Sequence, residues 1–267
     1  MLATLRGLRV GYDDAGRGLP VVFLHGFPHD RSLWSHQRIA LSSRIRCIVP
    51  DLRGFGESDG TPHDMDTFAD DVVALLDHLD IGDAVVCGLS MGGYIAMTLW
   101  RRHPTRVRAL VLCDTRAGAD SAEQRDARNA AMVKARAEGA SAFADAQLEK
   151  MVGAETHANR PDVVETMRAM MARQSVAGIT GALQALRDRP DSRNTIASVS
   201  VPTLVIVGAD DVLTPPAESQ AIMELLPEAS GARLEIIDGA GHVSCVERPA
   251  AVTHALADFL ATLAVPS

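Results

Sequence analysis

The chain has 267 residues, 47% of them hydrophobic, with a formal net charge of −8 and a pI near 5.6. That length and apolar content suffice for one sizeable core, while the acidic balance argues against nucleic acid or an anionic membrane as partner. No segment is long enough to span a bilayer, and no apolar core of signal-peptide length precedes Asp13 and Asp14. Cys47, Cys87, Cys113 and Cys245 are widely dispersed, and three fall in apolar runs, so they read as buried reduced thiols of a cytoplasmic protein.

Taken in chain order, residues 8–14 and 21–24 read as early strands, 32–40 as a helix, 46–50 as a strand and 68–79 as an amphipathic helix. The strand at 21–24 runs into His25-Gly26-Phe27-Pro28, where Gly26 permits close backbone approach and Pro28 restricts Phe27. The apolar run from Ala84 empties into Gly88-x-Ser90-x-Gly92, followed by a helix over 91–102 that Pro104 stops and a strand over 107–114. Between Asp114 and Pro202 the composition shifts to Ala, Arg, Glu, Asp, Gln and Met, over a stretch too long for an ordinary loop. Helices are expected there over 121–137, 140–152, 161–174 and 176–188, the third with proline in its first turn. Two strands remain, 203–207 before Gly208-Ala209-Asp210-Asp211 and 234–237 before Asp238-Gly239-Ala240-Gly241-His242. The strand-helix alternation predicts a doubly wound, mostly parallel α/β sheet.

A serine on a sharp strand-to-helix turn between glycines is a nucleophile elbow, and the turn leaves the Met91 amide at a helix N-terminus, aimed at any oxyanion formed beside Ser90. A serine hydroxyl is a weak nucleophile near neutral pH, so a base and an orienting acid are required. His242 lies in a glycine-loosened loop after the last strand, and a carboxylate lies just past the strand at 203–207. The second oxyanion donor falls on the backbone amide of Phe27.

With HGFP at 25–28, Asp51-Leu-Arg-Gly-Phe-Gly-Glu-Ser58, GLSMGG at 88–93, GADD and AGH at 240–242, the chain resembles the α/β-hydrolase superfamily over essentially its full length. Through HGFPHDRSLW, PDLRGFGESD and GHVSCVERP it is similar to the group of serine carboxylesterases, 3-oxoadipate enol-lactonases and cofactor-free perhydrolases or haloperoxidases. The resemblance implies an eight-stranded sheet, a core domain over 1–115 and 200–267, and a helical cap over 116–199 inserted after strand 6. It implies Ser90 as nucleophile and His242 as base; the G-x-x-D-x-x-T-P pattern puts the acid on Asp211, with Asp210 and Asp114 as competitors. The expected activity is hydrolysis of small to medium carboxylic esters or lactones through an acyl-enzyme, with enol-lactone hydrolysis, perhydrolysis and non-catalytic ligand binding as alternatives. No cofactor or metal is expected, the partner is a small-molecule ester or lactone, and a homo-oligomer is left open.

Around this centre, His29, Trp34 and Val243 are expected to touch substrate, whereas His25 is expected to bond backbone. The loop 51–58 reads as a structural turn, and Cys245, three residues after His242, as a packing residue. His36, His78, His103 and His254 in helix-like segments, with His63 and His157 in polar stretches, read as surface or satisfied groups. In the cap, Met132, Met151, Met167, Met170 and Met171 offer adaptable surface, and Arg116, Arg128, Arg136 and Arg173 are cations available to a dicarboxylate-like substrate.

Overall fold

Residues 1–263 are described by the computed structural model. Their strands are β1 (Leu2–Leu5), β2 (Leu8–Ala15), β3 (Pro20–Leu24), β4 (Arg46–Pro50), β5 (Ala84–Leu89), β6 (Val107–Cys113), β7 (Thr203–Gly208) and β8 (Arg233–Ile237). Among the described residues these eight form one sheet in the order β1-β2-β4-β3-β5-β6-β7-β8. The β1/β2 and β2/β4 pairs are antiparallel; every other pair is parallel. The central strands are apolar at nearly every position because both faces are covered. Val22, Leu24, Val86, Leu110 and Leu112 face one layer, which holds Phe68, Val72, Ile95 and Leu99. Their sequence neighbours Val21, Phe23, Val85, Cys87 and Val111 face the other, which holds Trp34, Leu41, Leu256 and Phe259.

The first three helices are α1 (Ser35–Leu41), α2 (Met65–His78) and α3 (Met91–Arg102). Between β6 and β7 run α4 (Ala122–Met151), α5 (Ala154–Asn159), α6 (Pro161–Ala172), α7 (Val176–Arg187) and α8 (Arg193–Ile196), followed later by α9 (Pro216–Leu225), α10 (Ser244–Glu247) and α11 (Pro249–Leu263). The chain steps from β3 to β4 on one side and returns to place β5 on the other side of β3. This reversal opens a crevice at the strands' carboxyl ends, and the loops after β3 and β5 carry Phe27 and Ser90 to it.

Several boundaries differ from the sequence reading for local reasons. The helix expected over 32–40 begins as a 3-10 turn at Arg31–Trp34, because the Asp30 side chain accepts from the Ser32 amide. Asp64 caps α2 at the Thr67 amide and starts it at Met65. The two helices expected over 121–137 and 140–152 run into each other as α4, whose direction changes at Gly139, φ 83° and ψ 177°. A Ser121–Gln124 capping box opens α4. Among the described residues no helix is long and apolar enough to cross a membrane.

Candidate active site

Ser90 sits between β5 and α3 with φ 52° and ψ −109°, a conformation an L-residue holds only when its surroundings enforce it. They do so here. A Cβ on Gly88 would overlap the backbone of Gly92, and one on Gly92 would overlap the Leu24 carbonyl of β3. The Ser90 amide donates to Cys113 O at 2.8 Å, and the Thr115 hydroxyl donates to Ser90 O at 2.9 Å. The amides of Gly93 and Tyr94 also donate to Ser90 O. Met91, first residue of α3, has no intrahelical acceptor for its amide. The loop after β3 lies against this turn, since a Cβ on Gly26 would stand 3.2 Å from Leu89 O; Phe27 follows, joined to Pro28 by a cis bond.

His242 Nε2 lies 2.9 Å from Ser90 Oγ, and its Nδ1 lies 2.8 Å from Asp211 Oδ2. A neutral imidazole that donates from Nδ1 to Asp211 leaves Nε2 free to accept the serine proton. Asp211 is itself locked. Its Oδ1 accepts from the Leu213 and Thr214 amides at 2.8 and 2.9 Å, and its Oδ2 accepts from the Thr214 hydroxyl at 2.7 Å. Burial pushes the Asp211 carboxyl up, but His242 and these donors more than reverse that and leave it below the usual value. Burial likewise pulls His242 down, and the Asp211 charge and hydrogen bond outweigh it, so its imidazole titrates above the ordinary 6.5.

The three candidate acids are thereby separated. Asp210 is exposed. Asp114 is fully buried, yet its oxygens accept from the Gly208 amide at 2.8 Å and the Ser244 hydroxyl at 2.6 Å instead of reaching the imidazole. Burial and the nearby Asp211 push the Asp114 carboxyl up to about 8. The sequence reading passed over Glu247, also fully buried. Its carboxylate accepts from the Gly241 amide and from the Gly153 amide, each at 2.8 Å, so it ties the His242 loop to the α4–α5 junction. The His242 amide reinforces this tie by donating to Met151 O at 3.1 Å.

Ser90 and His242 open into a cavity of about 350 Å³. Phe27, Tyr94, Leu213 and Thr214 form its sheet side, and Leu183 and Leu186 of α7 another wall. From α4 come Gln124, Ala127, Arg128 and Ala131 before the kink and Phe143, Gln147, Lys150 and Met151 after it, joined by Arg116. Spacings of three and four residues put each set on one helix face. A serine, an imidazole and a clamped carboxylate at one end of such a pocket are equipped for acyl transfer.

His29, Trp34 and Val243 are corrections, because all three are fully buried and none lines this cavity. The Trp34 ring packs on Phe23 with centroids 5.3 Å apart, and Val243 belongs to the core beside Cys245. Both His29 ring nitrogens lie buried without a hydrogen-bond partner, and burial with neighbouring His25 and His242 drives its pKa down to about 3. Of the methionines only Met151 reaches the cavity; Met132, Met167, Met170 and Met171 pack in the interior. Arg136 is exposed, and Arg173 pairs with Asp30. His25 bonds backbone as expected, its Nε2 accepting from the Leu52 amide at 3.0 Å. The 51–58 loop is an internally bonded turn, with Asp51 accepting from the Arg31 and Glu57 amides. His157 lies in α5; His103 pairs with Asp70 and His254 with Asp258.

The chain belongs to the family described as "alpha/beta hydrolase fold", which it matches over residues 20–249. The structure of a thermophilic esterase from Thermogutta terrifontis, in a malate-bound form, is similar with a TM-score of 0.94 and 37% identity, covering 99% of both chains. The enol-lactonase from Burkholderia xenovorans LB400 is similar with a TM-score of 0.90 and 32% identity, covering 98% of this chain and all 100% of that one. In sequence, 3-oxoadipate enol-lactonase 2 of Acinetobacter baylyi is 31% identical over 238 residues, 88% of this chain and 86% of the relative.

Proposed function

We propose that this hydrolase cleaves small to medium carboxylic esters or lactones by acyl transfer to Ser90. The observation that carries the reading is the unbroken Ser90–His242–Asp211 hydrogen-bond chain at the wall of the cavity. In this mechanism His242 Nε2 takes the Ser90 proton as Oγ attacks the carbonyl carbon, and Asp211 steadies the imidazolium. The Phe27 and Met91 amides hold the tetrahedral oxyanion. His242 returns the proton to the leaving alkoxide, which departs, or stays attached when the substrate is a lactone. Water, deprotonated by His242, then attacks the acyl-serine, releases the acid and restores the hydroxyl. A volume of about 350 Å³ is at the lower end of ligand pockets and suits acyl groups of a few carbons. The helices α4–α8 serve as the cap that shapes it. Four buried free cysteines fit residence in the reducing cytoplasm.

The test is hydrolysis of a p-nitrophenyl ester series from acetate to decanoate and of a carboxylated enol-lactone, with Ser90→Ala alongside. Serine-dependent turnover that peaks at short acyl chains, with a mass increment of one acyl group on Ser90 in quenched samples, is the expected result. Lactone turnover far above every ester moves the function to lactonase, and turnover that survives Ser90→Ala removes the mechanism.

A further inference from the structure

We propose that Arg116, Arg128 and Lys150 form a carboxylate-binding subsite in the Ser90 cavity, so that the preferred ester or lactone carries a free carboxylate besides the bond that is cleaved. This rests on the hydrolytic reading of the same cavity.

The first observation is a charge imbalance. Acidic residues outnumber basic ones in the chain, 34 to 26, yet the cavity is lined by Arg116, Arg128 and Lys150 and by no carboxylate. Behind the wall sits Asp120, whose side chain has 0% exposure and which pairs with Arg116, Arg128 and Arg189 together. Burial pushes the Asp120 carboxyl up, and Arg189 and Arg128 more than reverse that, so it stays ionised and low. One carboxylate facing three guanidiniums leaves a cationic excess in a partly desolvated place, where screening by solvent is weak.

The second observation concerns donors. Arg189 turns away from the cavity: it donates to Asp120, Leu186 O and Gly118 O, and its guanidinium lies 4.3 Å over the Tyr94 ring. Arg116 and Arg128 are different. Arg128 reaches Asp120 through Nε at 3.2 Å. Arg116 holds Asp120 and Gln124 through Nη2, and its Nε is buried with no partner. A guanidinium offers five N–H donors, and these bonds use only Nη2 of Arg116 and Nε of Arg128. Asp120 thus orients two guanidiniums while leaving them donors to give, which is what planar recognition of a second carboxylate uses.

The third is position. Arg116 directly follows Thr115, whose hydroxyl grips the Ser90 carbonyl, so the cationic wall begins one residue from the contact that fixes the nucleophile. A carboxylate held there orients the scissile carbonyl from the far end of the substrate. Because that contact exists before and during reaction, it acts mainly through KM.

The experiment compares monoethyl adipate with uncharged ethyl heptanoate of similar length, by proton release, in wild type, Arg116→Gln, Lys150→Met and the exposed control Arg136→Gln. Wild type should favour monoethyl adipate in kcat/KM by about 10-fold or more; each cavity variant should pull that ratio towards unity through KM, and the control should keep it. A wild-type preference for ethyl heptanoate, or a ratio unmoved in both cavity variants, overturns the subsite while serine-dependent turnover of ethyl heptanoate leaves the hydrolytic reading standing. Silence on both, and on the p-nitrophenyl esters and the enol-lactone as well, sinks the hydrolytic reading, and adipate itself then decides the subsite. A rise in Tm with added adipate in wild type but not in Arg116→Gln supports it, and no rise in wild type overturns it.

Discussion

The two sides of the cavity are built by different means. On the sheet side each group that the proposed reaction uses stands on a turn after a strand and is fixed mainly through backbone: Ser90 by Cys113 O and the Thr115 hydroxyl, Asp211 by the Leu213 and Thr214 amides, and His242 by Met151 O. On the α4 side the walls are long side chains, several of them charged; Asp120 holds Arg116 and Arg128, and Gln124 holds Arg116 as well. The first kind of wall sets atomic positions to within hydrogen-bond geometry, as proton transfer requires. The second sets size and charge, and single substitutions can change it without disturbing the chemistry. On the proposed mechanism, the reaction and the choice of substrate are therefore expected to be separable.

The largest expected effect removes the sheet side altogether: Ser90→Ala should lower kcat by about 10⁶-fold with little change in Tm, as steady-state kinetics and calorimetry would show. Next comes Asp211→Asn, which leaves the imidazole in the wrong tautomer and should cost about 10⁴-fold in kcat. If the separation of the acids is right, Asp210→Asn stays within about 3-fold of wild type. An equal loss in both would mean that the clamp around Asp211 is not what selects it.

The pH profile sharpens the same contrast. Since His242 titrates above 6.5, kcat/KM should fall as pH drops through that raised value and the imidazole loses its capacity to accept the Ser90 proton. The limb belongs to the Asp211–His242 pair jointly. For stability the sign is opposite: a raised histidine favours the fold fully below the unfolded pKa, and that contribution is lost as pH rises through the folded value. Glu247→Ala should strand the Gly241 and Gly153 amides and cost about 2–4 kcal/mol of stability, read as a lower denaturation midpoint. A small loss should come from Thr214→Val, which takes one of four donors from Asp211 and should reduce kcat only several-fold.

The same division explains what could be read from the chain before its structure. Gly88-x-Ser90-x-Gly92, His25-Gly26-Phe27 and Gly241-His242 are short because each device is a local turn, so sequence spacing carries its geometry. Asp210 and Asp211 could be ranked only by resemblance, as adjacent aspartates differ solely in which way the turn points them. The α4 wall was half legible: Arg116 and Arg128 were visible as cations, but Lys150 and Gln147 become their neighbours only after the bend at Gly139. His29 misled because proximity to Pro28 in sequence says nothing of a ring turned into the interior. Glu247 left no local signal, since its two acceptor bonds reach six and 94 residues away.

The Glu247 bridge also bears on how the roof of the cavity can move. One carboxylate holds Gly153, where the roof turns from α4 to α5, and Gly241, the residue before the base. That corner is bolted to the His242 loop, so lifting it is expected to carry His242 away from Ser90. At another corner Gln174 and Arg173 fasten to the buried Asp30, in the loop after β3. A roof movement that spares the Ser90–His242 contact is therefore expected between these anchors, where α4 is already broken at Gly139.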